Sequence, residues 1–358
     1  MSTKKIPADP IGNVQYHVSR KWASIDQGRA SALTTARKLE RITEGQPSTD
    51  ANFVVFGSLA RREWTPKSDV DWTLLIDGQA DYQHLALAQE IAKRLDKAKF
   101  AEPGRTGIFG NMTFSHDLVQ KIGGQDDTNQ NTTRRILLLL ESLAIGRSES
   151  RGRVRRLILK QYLNNDYGLR FSTLPFKVPR VLLNDIVRYW RTVTVDFLEK
   201  QRMQAGQGWG LRNAKLRMSR KLIFATGLLS CFSCDLLADA SARQQLIGRA
   251  HSTIAMEEHL RNFMERTPLE ILATVVSELR INKRTSIKLF SAYDEFLALM
   301  SDSRKRDRLK RLTPDSARGD KIYEEMRKFS HSFQEGLTAL FFKDHKRLQE
   351  LVTFYGVF

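Results

Sequence analysis

The 358-residue chain reads as α+β, a small sheet-bearing N-terminal part followed by a larger all-helical one. Three observations predict this. Short apolar runs rich in β-branched and aromatic residues fall within the first 120 residues. Beyond a polar stretch at 146–152 (GRSESRG) apolar residues recur almost only at intervals of three and four, the helical period. The charge divides in the same way. Residues 1–150 carry 20 Lys+Arg against 18 Asp+Glu, which leaves 38 against 22 for residues 151–358, a net of +16 out of the total +18.

Taken in order, Val14, Trp22, Ile25, Leu33, Leu39 and Ile42 lie at helical spacing and predict one or two helices before Gly45 and Pro47. Phe53-Val54-Val55-Phe56 predicts a buried strand, and Trp72 to Ile76 a second one, closed by the turn signal Asp77-Gly78. Residues 81–98 form an amphipathic helix with Leu85, Ala88, Ile91 and Leu95 on one face. A loop marked by Pro103, Gly104 and Gly107 precedes an extended stretch from Ile108 to Val119. The polar cluster from Gly123 to Thr133 then starts a leucine-rich helix that ends near Glu141, with Asp126 and Asp127 read as capping charges. Helices follow at 153–165, at 182–203, and from Leu211 through Leu229. Residues 240–358 continue the helical period and include the basic run 303–312.

Composition bounds the function. With 41% hydrophobic and 27% charged residues this is an ordinary globular chain. No apolar run approaches the ~20 residues needed to cross a bilayer. MSTKKIPADP has no apolar core behind its lysines, so no secretory signal and a cytoplasmic address are expected. The two cysteines, Cys231 and Cys234, form a lone C-x-x-C inside a helical pattern, which predicts buried thiols rather than a zinc site. A +16 field steers polyanions, so RNA or DNA, crowded nucleotide phosphates or an acidic protein partner are the partners it suits.

The chemistry concentrates between Asn52 and Asp77. Gly57-Ser58 follows the first strand directly, and a glycine turn running into backbone N–H groups at a helix start can cradle phosphate. Ten residues on, Asp69-Val70-Asp71 leads into the second strand. Residues two apart in a strand share a face, so both carboxylates point the same way and suit a hard cation that bridges carboxylates and nucleotide phosphates.

The string G-S-L-A-R-R-E-x5-S-D-V-D resembles the signature of the DNA polymerase β-like nucleotidyltransferase superfamily. It is most similar to the bacterial PII-uridylyltransferase and glutamine-synthetase adenylyltransferase branch, which also carries Arg and Glu at the Arg61 and Glu63 positions and Ser directly before the first Asp. The resemblance implies a small mixed-sheet nucleotidyltransferase domain at 1–146, with N-terminal helices, and a basic helical domain at 147–358. It implies two Mg²⁺ (or Mn²⁺) ions, one to activate the acceptor hydroxyl and one to neutralise the leaving pyrophosphate, and an NTP as substrate. Asp69 and Asp71 would be catalytic metal ligands, with a third carboxylate from a neighbouring strand, for which Asp117, 46 residues after Asp71, is the candidate. Gly57, Ser58 and Arg61 would serve the phosphates. Lys215, Ser219 and Lys221 would hold the triphosphate from the helical domain, with Arg188 and Arg191 beside them; Tyr189, Trp190 and Trp209 are candidates to stack a base. A polyanionic acceptor is expected, RNA favoured by the basic half. A protein acceptor, a second nucleotide (giving an oligonucleotide messenger) and a non-catalytic nucleotide- or RNA-binding regulator are the alternatives. No membrane partner is expected.

Overall fold

The computed structural model describes residues 9–44, 48–101, 103, 108–166, 178–203, 206–237 and 252–356. It is α+β, and its contacts divide the chain into two compact units.

One unit, helical throughout its described residues, comprises Met1–Asp26, Thr173–Arg249 and Pro268–Phe358. Helix α1 (Pro10–Val18) buries Ile11, Val14 and Val18 against the helices at Pro268–Glu278 and Lys283–Ser301. Next to it, fully buried Trp22 stacks on Phe290 with centroids 4.8 Å apart and donates its indole N–H to Ser291 Oγ at 3.1 Å. The helices Lys283–Ser301 and Lys321–Phe342 approach closely, because Gly336 leaves room that a Cβ would contest with Leu289 at 2.8 Å. Trp209–Lys215 and Lys221–Leu236 are joined by a π-helical turn, Leu216–Arg220. Cys231 and Cys234 lie buried and unbridged on the second of these, and burial pushes the Cys234 thiol up to about 12. In the basic helix Ser303–Arg311, Lys305 pairs with Glu325 at 2.8 Å and Arg308 with Asp320 at 2.7 Å, so part of that run is neutralised within the unit.

The other unit, Gln27–Ser172 with Ala250–Thr267, carries the sheet. A cut at 146/147 therefore does not follow the contacts. Helix α2 (Ala23–Thr43) leads to β1 (Ala51–Val55), the single turn α3 (Gly57–Ala60), β2 (Trp72–Ile76) and α4 (Tyr82–Lys97). Then come β3 (Asn111–Phe114), α5 (Ser115–Val119), α6 (Asn129–Leu140), β4 (Leu143–Ile145) and α7 (Glu149–Asn165). The order is β3-β2-β1-β4; β1 is antiparallel to both β2 and β4, and β2 is parallel to β3.

Alternation sorts the two faces. Phe53, Val55, Trp72, Leu74 and Ile76 join Ala32 and Leu39 of α2 and Ala88, Ile91 and Leu95 of α4 in one core. The opposite face meets α7, where Asn52 Oδ1 accepts the Arg151 backbone N–H at 2.8 Å. Side-chain caps set two helix starts: Asp81 accepts from Gln83 N–H at 2.8 Å for α4, and Thr128 from Asn131 N–H at 3.1 Å for α6. Asp127 is not a cap. It takes both its oxygens to buried Arg135, at 3.1 and 2.8 Å, and Arg135 also donates to the Tyr162 hydroxyl at 2.6 Å.

The expected extended stretch 108–119 is strand only from Asn111 to Phe114 and then turns into α5. Strand β4 was not predicted, since three residues are too few to display an alternation. Helix Ser252–Phe263 packs on α7, where Arg155 pairs with Glu265 and donates to the Met264 carbonyl at 2.8 Å. On that helix, burial lowers the pKa of His259 to about 4, with Arg266 adding repulsion. A base whose folded pKa lies below its unfolded value stabilises the fold fully above about pH 6.5. That contribution is lost as pH falls from there toward 4, and amounts to at most about 3 kcal/mol. His259→Gln is accordingly expected to flatten the acid limb of stability measured by urea unfolding between pH 7 and 4. Among the described residues no helix is long and apolar enough to cross a membrane.

Candidate active site

The exit of β1 builds the centre of the site. Phe56 stays extended, and its N–H donates to the Asp71 carbonyl at 2.8 Å. Gly57 then turns with φ +67°, the left-handed region, and starts α3. A Cβ built on Gly57 would stand 2.8 Å from Asp71 Oδ2, so the Asp71 carboxylate lies directly over the glycine α-carbon. Conformation and space each demand glycine here. Gly57→Ala is expected to displace the Asp71 carboxylate and to cost about 1–3 kcal/mol of stability, measured by denaturant unfolding.

Asp69 and Asp71 are both half-buried, separated by buried Val70. The backbone at Asp69 bridges Ala101, whose carbonyl accepts the Val70 N–H at 3.3 Å. Ser68, directly before the pair, closes its loop by hydrogen bonding Thr65, Oγ to Oγ1 at 3.0 Å.

After the Gly57-Ser58 turn the chain is braced from beneath. Glu63 N–H donates to the Ser58 carbonyl at 2.7 Å and Arg61 N–H to that of Gly57 at 3.0 Å. The Arg61 side chain does not point freely outward. It pairs with Glu63 at 2.8 Å and with Glu141 at the end of α6, with side-chain exposures of 11% for Arg61 and 1% and 5% for the two glutamates. Gly28 of α2 abuts this turn, since a Cβ there would meet the Glu63 α-carbon at 3.3 Å. Glu141 is the participant that the sequence reading left without a role; its only signal was its place at the end of a leucine-rich helix.

Asp117 is not brought to the aspartate pair. Asp69 and Asp71 precede β2, whereas Asp117 lies on α5, past the far end of the parallel strand β3. There it pairs with Lys121 at 2.6 Å, a contact that raises the lysine pKa. Among the described residues no three His, Cys, Asp or Glu side chains are grouped to hold a metal. Two carboxylates on one face, with a glycine cradle beneath one, do fit a single Mg²⁺ or Mn²⁺ that takes its remaining ligands from phosphate and water.

Lys215, Ser219 and Lys221 belong to the helical unit, where they flank and occupy the π-helical turn. Ser219 Oγ donates to the Lys215 carbonyl at 3.2 Å, and Lys221 Nζ to Gln334 Oε1 at 2.5 Å. Burial and the neighbouring Arg217 lower the Lys221 pKa; burial, Arg220 and Arg212 do the same to Lys200. Cations therefore crowd around this turn. Trp190 stacks on Phe224 and Trp209 packs against Tyr323, while Tyr189 is buried, so these aromatics are taken up by the unit's own packing.

Residues 23–117 match the family model described as "Putative nucleotidyltransferase DUF294". The match runs from α2 through β3 into α5 and contains the Gly57-Ser58 turn and both aspartates. It supports a nucleotidyltransferase domain at this level, without reaching the finer uridylyltransferase or adenylyltransferase branch. No curated protein matches the chain.

Proposed function

We propose that this protein transfers a nucleoside monophosphate from an NTP to an acceptor hydroxyl and releases pyrophosphate. The observation that carries the reading is the Asp71 carboxylate seated over the Gly57 α-carbon, which joins a phosphate-cradling turn to a carboxylate pair. Asp69 and Asp71 would hold Mg²⁺ or Mn²⁺. Once bound, the metal would polarise the phosphate under attack and neutralise charge on the leaving pyrophosphate. The backbone at Gly57 and Ser58 orients the β and γ phosphates. Arg61, already bound to two carboxylates, keeps the turn in place rather than reaching the nucleotide itself.

By the resemblance, Lys215, Ser219 and Lys221 of the helical unit are candidates to hold a triphosphate. Burial is the main cause that lowers the Lys221 and Lys200 pKa values; Arg217 for the one, and Arg220 and Arg212 for the other, add repulsion that a bound triphosphate would relieve. The acceptor is a polyanion, with RNA favoured, because residues 151–358 hold a net charge of +16. Paired internal carboxylates reduce the contribution of Lys305 and Arg308 to that field.

The test is incubation with each α-labelled NTP and Mg²⁺ or Mn²⁺, in the presence of RNA, of protein or of neither, beside an Asp69→Ala/Asp71→Ala control. Label transferred to RNA by the wild type alone is the expected result. Label on protein would reassign the acceptor, and label in a short oligonucleotide would make the product a messenger. Wild type matching the control under every condition would refute nucleotidyl transfer.

A further inference from the structure

How many divalent cations this site can take depends on strand β3. Residues matched in a parallel pair stand side by side with their side chains on one face. The register pairs Thr73 with Asn111 and Leu75 with Thr113. Side chains agree with it, since Thr73 Oγ1 donates to the Asn111 carbonyl at 2.6 Å and lies 2.8 Å from Thr113 Oγ1. Asp69, Asp71 and Thr73 alternate along the same side of the chain leading into β2. Asn111 therefore sits on the adjoining strand, one pleat along from Asp71, where a third carboxylate would complete a two-ion site.

An amide has no charge to offer a cation, and this one is already committed. Its Oδ1 accepts from Arg134 Nη2 at 3.1 Å. The same guanidinium donates to the Ile108 carbonyl from Nε at 3.1 Å and from Nη2 at 3.0 Å, which anchors it on the lead into β3. From Ile108 to Phe114 the chain reads IFGNMTF, without an acidic residue. A guanidinium, whose charge Asp117 favours, thus stands beside the position where a second ion would need a carboxylate.

We propose that the site takes a single divalent cation, held by Asp69, Asp71 and the phosphates of the bound nucleotide, and that Asn111 with Arg134 closes the second position. This rests on the nucleotidyl-transfer reading for its nucleotide, but the ion count is a separate property. Mg²⁺-like ions held by one or two carboxylates depend on substrate phosphate for the rest of their shell, so binding without nucleotide is weak.

The full chain would be dialysed against Mn²⁺ with and without the α,β-methylene analogues of ATP, GTP, CTP and UTP. Retained metal and retained nucleotide are counted separately. The expected result is one Mn²⁺ per bound analogue and almost none without it. Two Mn²⁺ per bound analogue in the wild type would overturn the proposal and leave nucleotidyl transfer standing. If no analogue is retained, the reading beneath it falls as well. In Asn111→Asp alone the new carboxylate would be neutralised by Arg134, so the informative variant is Asn111→Asp/Arg134→Gln. It should retain two Mn²⁺ per analogue, while Arg134→Gln alone stays at one. A double variant with wild-type circular dichroism and melting temperature that still holds one ion would remove Asn111 and Arg134 from the explanation.

Discussion

Asp71→Asn is expected to lower nucleotidyl transfer by roughly a hundredfold to a thousandfold, the scale of losing one preorganised electrostatic group at a reacting phosphate. The substitution keeps the shape of the side chain and removes its charge. It leaves untouched the backbone carbonyl that accepts the Phe56 N–H, so the exit of β1 is retained. The side chain is half-buried and Asn keeps its size, so the melting temperature should stay near that of the wild type. Asp117→Asn is the matched comparison. Its carboxylate pairs with Lys121 on the outside of α5, and exposed ion pairs contribute little, so turnover and stability should both match wild type. Equal losses in the two variants would mean that Asp117 acts on the nucleotide after all.

The second large effect is on stability. Arg61→Met is expected to destabilise the sheet-bearing unit by about 3–5 kcal/mol, the cost of breaking a buried ion pair by removing one partner. Here two glutamates, Glu63 and Glu141, would be left buried close together. The loss is read from urea unfolding at neutral pH. Arg61→Lys should recover only part of the loss, since one ammonium lacks the planar fork that serves two carboxylates. No recovery in Arg61→Lys would indicate that packing, and not charge, dominates at this turn.

Much of the site could be read in the sequence because it is local. Gly57-Ser58 and Asp69-x-Asp71 lie within fifteen residues, and strand alternation alone puts both carboxylates on one side. Asp117 shows where that reasoning stops. It was the acidic residue at a plausible distance after β2, but its usefulness depended on where β3 ends and on a parallel register with β2. Neither has a local signal, and in the parallel register Asp117 falls beyond the end of β3 that is remote from Asp69 and Asp71. Glu141 fails from the other direction: its partner Arg61 lies 80 residues earlier, so no window contains both. Beyond residue 146 the helical period corresponds to helices among the described residues, but periodicity says which face is buried and not against what. Nothing in Ser252–Phe263 announces that it packs on α7 with the sheet-bearing unit.

The way the chain is apportioned between the units has a consequence for its birth on the ribosome. Helix α1 belongs with partners at 268–278 and 283–301, so Ile11, Val14 and Trp22 leave the ribosome about 250 residues ahead of the segments that bury them. The sheet-bearing unit has its last segment once Thr267 has cleared the exit tunnel, while the N-terminal helix is still without its partners. The order of completion is thus the reverse of the order of synthesis. A helix with an apolar face left exposed until its partners are made is a natural client for a holding chaperone, and synonymous codons that slow elongation before residue 268 would lengthen that exposure.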